Sequence, residues 1–342
     1  VRLHVWEWAR GPAGRMSTFW TEAGSARHIA DLGAQVLSTP DGAEAAELRA
    51  LGAVDAVGLA RGTPERAADA AHFWVPGGMT DLLRRRLQAA EPDELAFNRR
   101  VTGIALDGER WKVQAQSGTS GHFDAVIFAG TARDTLGIKG VKEALGADRA
   151  RALDGVRYDH RLAIALMLAP RLRPALEALF GPGAAELDLE GEGADLGLLS
   201  WQDRKARTHE DYTVLVVHST CQFAAANLER ARQKRRHPKD LGFEGVLAAL
   251  AEKLRIPLRE LRQAIQESKV VHWRQCQTQR RVPLPGDCLE VLPEGSAGPL
   301  LVVCGDYFTE ASYHGCVRSA RAAAAAVLDW AGAPRPPPLE GA

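Results

Sequence analysis

Two stretches of the chain, "FDAVIFAG" at 123–130 and "GPLLVVCGDYF" at 298–308, carry continuous apolar runs of strand length. A strand without polar alternation is covered on both faces, and such strands are typical of parallel sheets flanked by helices. The first run ends in Gly130-Thr131. The second leads through Gly305-Asp306 into a long Ala-rich helix, "TEASYHGCVRSARAAAAAVLDWA". Between them, from about 154 to 282, the pattern is more antiparallel. There, strands such as "RLAIALMLA" and "YTVLVVHST" mix with helices expected over 243–254 and 258–267. The simplest topology is a parallel α/β domain interrupted by a second domain.

The flanking elements fit this plan. Leu3 to Trp8 alternates and reads as a strand. Asp41 caps a helix over 41–51. "HFWVPGGMTDLLRRRLQAA" reads as a strand, a turn and a helix capped by Thr80. "RRVTGIALDGERWKVQAQSG" reads as a hairpin turning at Asp107-Gly108. The tail "GAPRPPPLEGA" has the composition of a disordered segment.

Composition narrows the function. Among 342 residues, Lys plus Arg and Asp plus Glu number 43 each, so the formal charge is zero, which argues against a nucleic-acid binder. The basic run "RARQKRRHPKD" at 230–240 reads as a solvated face. Five cysteines, Cys221, Cys276, Cys288, Cys304 and Cys316, show no CxxC or zinc spacing and read as thiols in a reducing compartment. No apolar run has membrane-spanning length. A cytoplasmic monomer is the expectation, and export stays open because no N-terminal signal can be read from a chain that begins at Val1.

Several residues suggest an anionic cofactor. Glu7, at the end of a strand, suits the ribose hydroxyls of a dinucleotide. Gly14 permits close backbone approach, and Arg15 offers a planar cation to phosphate oxygens. Far along the chain, a strand ends in Gly305-Asp306, and Gly315 is expected to open a helix whose first N–H groups hold an anion or a flavin edge.

In order, Glu7, "AGRMST", "DLGAQ", "PGGMTDL", "RRVTGI", "FDAVIFAG", "HWR" and "GDYFTEASYHGCVRSA" resemble the flavin-dependent amine-oxidase-like proteins. Within that group the renalase family is the nearest match, in "LVVHST" and "VVHWRQCQ" above all. The likeness runs from Leu3 to about Leu328. It implies non-covalent FAD in an α/β, Rossmann-like domain of p-hydroxybenzoate-hydroxylase-like type, with an inserted α+β substrate domain. The expected cofactor domain is 1–47, 72–133 and 295–331. The substrate domain is 48–71 and 134–294, and 332–342 is the tail. The resemblance places Glu7 at the adenosine ribose, Gly14 and Arg15 at the FAD, and Gln35 and Val36 along the flavin side. It places the Val101 backbone at the adenine, Asp306 at the ribityl or pyrophosphate part, and Gly315 and Cys316 near the isoalloxazine.

Three departures stand out. Ala13 occupies a family glycine position, which requires a negative φ. Val36 replaces an aromatic. No G-x-G-x-x-G opens a helix after a strand; "GPGAAE" and "GEGADLG", at Gly181 and Gly191, have the wrong spacing. The chain is therefore expected to begin at the family's second strand, without the first βα unit and its phosphate loop, at a cost in FAD affinity.

The resemblance implies oxidation of the 2- and 6-dihydro isomers of NAD(P)H by hydride transfer to flavin N5, giving NAD(P)+ and, with O2, hydrogen peroxide. Such a donor needs orientation and exclusion of water rather than a general base. His218, Trp273 and Arg274 are the pocket candidates, Arg274 facing a dinucleotide phosphate. Asp203, Lys205 and Arg207 fit either a cleft mouth or a solvated turn. Two alternatives remain: a flavin amine oxidase, with Tyr307, Phe308 and Tyr313 as aromatics before the flavin, and a non-catalytic binding or signalling protein. The expected partners are a small-molecule substrate and O2, with no metal, nucleic acid or membrane.

Overall fold

Arg161–Leu168, "RLAIALML", has no polar residue after its first position, because both of its faces are covered. It lies second in a six-stranded sheet with the order 265–273, 161–168, 213–219, 196–201, 186–188, 60–61. Neighbours are antiparallel except 60–61, which runs parallel to 186–188. On one face Leu162, Ile164, Leu166, Leu199, Leu215 and Val217 pack on helices Arg173–Phe180, Cys221–Gln233, Pro238–Leu254 and Leu258–Ala264. On the other, Ala165, Met167, Val214 and Val216 meet Ala30 and Leu32, which belong to or follow the hairpin Thr18–Ala23/Ala26–Asp31.

This is a computed structural model of the chain, and it describes residues 1–23, 26–56, 60–61, 70–191, 193–205, 211–292 and 298–332. The Pro-rich tail from 333 and Arg207 lie outside the described residues. The chain divides into two compact units. One comprises 1–12, 90–158 and 277–342, and the other 13–89 and 159–276. Residues 13–47 and 72–89 thus pack with the six-stranded sheet, because the 18–31 hairpin seals its second face.

The first unit contains the two apolar runs. Ala125–Phe128 and Leu300–Cys304 are parallel neighbours, and Cys288–Val291 pairs antiparallel with the latter. His4–Trp6 pairs in parallel with Glu94–Ala96. The hairpin Val101–Asp107/Arg110–Ala115 continues into Ser120–Phe123, with Gly108 at φ 61° in the turn. Its core gathers Ile104, Trp111, Phe128, Leu301, Val303 and Tyr307. The Tyr313–Trp330 helix lays Ala323 and Ala326 on Leu300, Val302 and Cys304. The mixed α/β character is as expected.

Local signals were read unevenly. Asp41 caps Gly42–Ala50, with Oδ1 accepting from Ala43 N (2.9 Å) and Glu44 N (3.2 Å). Thr80 is not a cap: the helix begins at Met79, and Thr80 Oγ1 accepts from Thr18 N (2.9 Å). The expected helix 258–267 stops at Ala264, where Ile265 enters the sheet, since tertiary pairing outweighs helix propensity. Gly315 does not open its helix, which starts at Tyr313 behind the Ser312 cap.

Candidate functional site

In the second unit, two turns are clasped together. Ala13 adopts φ 153° and Gly14 φ 48°, so the chain reverses ahead of the short Gly14–Met16 turn. This overturns the negative φ expected of Ala13; the position demands glycine-like backbone, and alanine occupies it under strain. Arg15 O then accepts from Ala34 N (2.9 Å). Gly33 is required here, because a Cβ would lie 1.7 Å from Arg15 O. The Arg15 guanidinium donates to Cys276 O (2.8 Å), two residues beyond Arg274. His218 Nε2 lies 2.7 Å from Leu32 O, which fixes that nitrogen as the protonated donor. Burial lowers the His218 pKa to about 4, so the imidazole is neutral at physiological pH.

Gln35 is buried and its carboxamide is spent inside the protein. Its nitrogen donates to Asp31 O and to Gly33 O (3.0 Å), and its oxygen accepts from Gln202 Nε2 (2.9 Å) and Lys205 Nζ (2.8 Å). With both N–H groups and both lone pairs used, Gln35 holds the 31–35 turn and keeps no capacity for a ligand. Val36 packs beside Trp74 and Ala185.

Lys205, which the sequence left between a cleft mouth and a solvated turn, is fully buried. Its side chain is 0% exposed, and its ammonium meets Glu186 Oε1 (2.9 Å), Gln35 O (3.0 Å) and Gln35 Oε1 (2.8 Å). The two Gln35 contacts are hydrogen bonds, and the one to Glu186 is an ion pair. Asp203 faces inward too, accepting from Val214 N (2.9 Å) and Thr213 Oγ1 (2.8 Å). Asp31 is likewise buried and accepts from Thr18 Oγ1 (2.7 Å) and Met79 N (2.9 Å).

The end of the sheet carries the other candidates. Arg161 opposes Trp273, and Leu162 opposes His272. Arg161 is neutralised by Asp159 (3.0 Å) and Glu190. Trp273 Nε1 is buried and finds no hydrogen-bond partner among the described residues, while Arg274 beside it is exposed. His272 stands 6.0 Å from the His160 ring. Burial first, then the neighbours His160, Arg274, Lys239 and His237, lower the His272 pKa to about 4. This end of the sheet sets the exposed Arg274 beside a buried indole donor, with Asp159 and Glu190 paired to Arg161.

In the first unit, Glu7 follows the His4–Trp6 strand. Its Oε1 accepts from Ala9 N (2.6 Å), and its backbone bonds to Ala96 O and Arg99 N. A carboxylate has about four lone-pair sites, so capacity for hydroxyl donors remains. Nearby, Glu94 accepts from Trp6 Nε1 (3.0 Å), His4 Nδ1 (2.9 Å) and Arg99, which together hold its pKa down to about 2. Val101 begins the strand two residues past Arg99.

In the same unit, Asp306 is buried and its Oδ2 accepts from Thr278 Oγ1 (3.0 Å). Gly305 (φ 154°) makes room for the Tyr307 ring, 2.5 Å from where a Cβ would stand. Gly315 N donates to Ser312 Oγ (2.9 Å), so this amide is spent on the cap. Gly315 is needed for space, since a Cβ would lie 2.2 Å from Glu310 O. Cys316, next on the helix, is exposed. Tyr307 and Phe308 stack at 5.0 Å within the core.

The residues expected at the cofactor therefore divide: Glu7 keeps acceptor capacity, whereas Gln35 and Gly315 shape turns and have the bonding groups described above committed. The two units hold the candidates separately, Glu7, Val101, Asp306, Gly315 and Cys316 in the first, and Gly14, Arg15, Gln35, Val36, His218, Trp273 and Arg274 in the second.

Comparison with known proteins gives this arrangement a family. A family model described as flavin containing amine oxidoreductase matches residues 56–328. A putrescine oxidase redesigned at its cofactor site is similar in fold, with a TM-score of 0.63 at 13% identity over 96% of this chain and 93% of its own. Wild-type putrescine oxidase bound to putrescine gives 0.60 at 13% identity, over 95% of this chain and 93% of its own. A protein from Exiguobacterium sp. 255-15 described as a protoporphyrinogen oxidase gives 0.54 at 11% identity. The match covers 75% of this chain but spans about half, 52%, of that protein's length.

Proposed function

Because the chain belongs to the flavin-containing amine oxidoreductase family, whose members are FAD-dependent oxidoreductases, we propose that its substrate is an anionic dihydronicotinamide dinucleotide. The reading is that of a renalase-type oxidase, which takes the hydride of 2- or 6-dihydro-NAD(P)H and returns NAD(P)+, with O2 reduced to hydrogen peroxide. FAD supplies the hydride acceptor when bound. The chain contributes binding and orientation, on a p-hydroxybenzoate-hydroxylase-like scaffold.

The observation that carries the reading is the exposed Arg274 cation next to the buried Trp273 indole at the end of the sheet. Arg274 and Lys239 are among the groups that, after burial, lower the His272 pKa. A polyamine would be repelled there, whereas a diphosphate would be attracted. The Trp273 indole N–H, buried and without a hydrogen-bond partner among the described residues, suits the carboxamide oxygen of a nicotinamide. His218 is neutral with its proton committed to Leu32 O, and Lys205 is spent on Glu186 and Gln35. Neither is placed to take a proton, and hydride loss from a dihydropyridine asks for none.

The amine-oxidase alternative rested on Tyr307, Phe308 and Tyr313. Tyr307 and Phe308 pack in the core of the first unit, Tyr307 donating to Cys304 O (3.1 Å), so those rings do not support an amine site.

The test is an anaerobic titration of the FAD-loaded protein with 6-dihydro-NAD, following the visible flavin band. Bleaching at one equivalent supports the reading. A band bleached by putrescine and not by the dihydronicotinamide overturns it. Arg274→Ala is expected to raise KM about tenfold or more, the loss of one charged hydrogen bond, with little change in kcat. A fall in kcat at constant KM would refute the phosphate contact.

A further inference from the structure

Strands Cys288–Val291 and Leu300–Cys304 place Cys288 directly opposite Cys304. Directly opposed residues point to the same face of a sheet. Here that face is covered by the Tyr313–Trp330 helix, where both thiols pack with Val302, Ala323 and Ala326. Both cysteines are free thiols in this structure.

Their spacing follows from the ladder. One position further on, Gly305 N–H donates to Ser319 Oγ (2.8 Å), and the Ser319 hydroxyl donates to Asp287 O (2.6 Å). The hydroxyl thus bridges a backbone N–H and C=O that face each other, so 287/305 is a hydrogen-bonding position. Positions alternate along an antiparallel ladder, so 288/304 is a non-hydrogen-bonded pair, where Cα atoms are about 4.5 Å apart and side chains come closest. A disulfide needs Cα atoms about 4.4–6.8 Å apart with converging Cβ atoms. The pair can therefore be bridged without moving the backbone.

We propose that Cys288 and Cys304 are an oxidisable dithiol, a modification site closed by hydrogen peroxide into a cross-strand disulfide. One thiolate attacks a peroxide oxygen, the O–O bond breaks, and a sulfenic acid and one water result. The second thiol displaces the hydroxyl as another water, forming the S–S bond. Two thiols are oxidised by two electrons in total, and one peroxide is reduced to two waters. Only the source of the peroxide rests on the function proposed above. The bond staples two strands, the second of which ends at Gly305-Asp306. It stabilises the fold by restricting the unfolded chain.

Burial governs the rate. It pushes the Cys304 thiol up to about 12 and raises that of Cys288, so both are protonated near neutrality and inert to brief exposure. Closure is expected to speed up about tenfold per pH unit between pH 7 and 9, as the thiolate fraction grows.

The test uses the pre-reduced full-length protein, exposed to added peroxide, or separately to diamide, at pH 7, 8 and 9. Free thiols are then alkylated under denaturing conditions, and peptides are analysed by mass spectrometry. The expected product is a Cys288–Cys304 peptide pair, two hydrogen masses lighter than the separate thiols, with the stated pH dependence. It should vanish in Cys288→Ser, leaving Cys304 alkylatable, and persist in Cys316→Ser. A bridge formed through the exposed Cys316, or a fully alkylatable Cys288 and Cys304 at pH 9 under either oxidant, overturns the proposal. Since both oxidants are supplied, that outcome leaves the proposed substrate untouched. Equally, failure of the dihydronicotinamide titration leaves the dithiol standing.

Discussion

Replacing Lys205 by methionine tests the interior of the second unit. Methionine approximates the volume of the lysine but removes the charge that Glu186 meets at 2.9 Å, and Glu186 is itself 1% exposed. Breaking one side of a buried ion pair costs about 3–5 kcal/mol, because the remaining charge stays desolvated. The bonds from Nζ to Gln35 O and Oε1 are lost in the same event and fall within that figure. Taking about 4 kcal/mol and a urea slope of about 2 kcal/mol per molar, the unfolding midpoint should fall by about 2 M. The double variant Lys205→Met/Glu186→Leu removes both charges and should recover to within about 1 kcal/mol of the parent, since apolar replacements of buried pairs are near neutral. Urea titrations followed by tryptophan fluorescence on all four proteins complete the cycle. A single variant costing under about 1 kcal/mol, or a double variant costing the sum of the singles, would refute the claim that the pair is a closed, mutually dependent unit.

Ala13→Gly should raise stability by about 1 kcal/mol, the relief of a strained φ of 153° offset in part by glycine's greater unfolded freedom; a loss of stability in thermal melts would contradict the strain. For His218, the folded pKa of about 4 lies below the ordinary 6.5, so the unfolded chain binds the proton first. Above pH 6.5 both states are neutral. Between pH 6.5 and 4 stability falls, by about 3 kcal/mol in total, and then levels off. His218→Gln should flatten this part of the pH–stability curve, leaving a slope from His272, whose pKa is displaced in the same direction; an unchanged curve would contradict the displacement.

How far the sequence could be read depended on whether a signal was local. The runs at 125–128 and 300–304 were legible because both their faces are buried, and no polar residue interrupts them. Asp41 was legible because a cap acts on the next three residues. Gln35 was expected along the flavin side by resemblance, but nothing in the sequence marks a side chain whose four hydrogen-bonding capacities are filled from Asp31, Gly33, Gln202 and Lys205. In "WQDRKAR", lysine among charges resembles a solvated turn. Only Glu186 on the neighbouring strand and Gln35 from a distant turn make its burial tolerable.

The same division holds for backbone and charge. Gly33 and Gly315 announce themselves as glycines, yet the carbonyls that exclude a Cβ belong to Arg15 and Glu310, one of them far away in sequence. The groups that lower the His272 pKa come from three separate stretches, 160, 237–239 and 274, each unremarkable alone. By itself, then, the sequence determined the kind of elements and a mixed α/β chain, since propensity, capping and apolar period act over a few residues, while the family came from the resemblance of its motifs. Tertiary structure alone decided which polar groups were already spent and which groups act on His272, because desolvation and Coulomb energy depend on distance in space rather than along the chain.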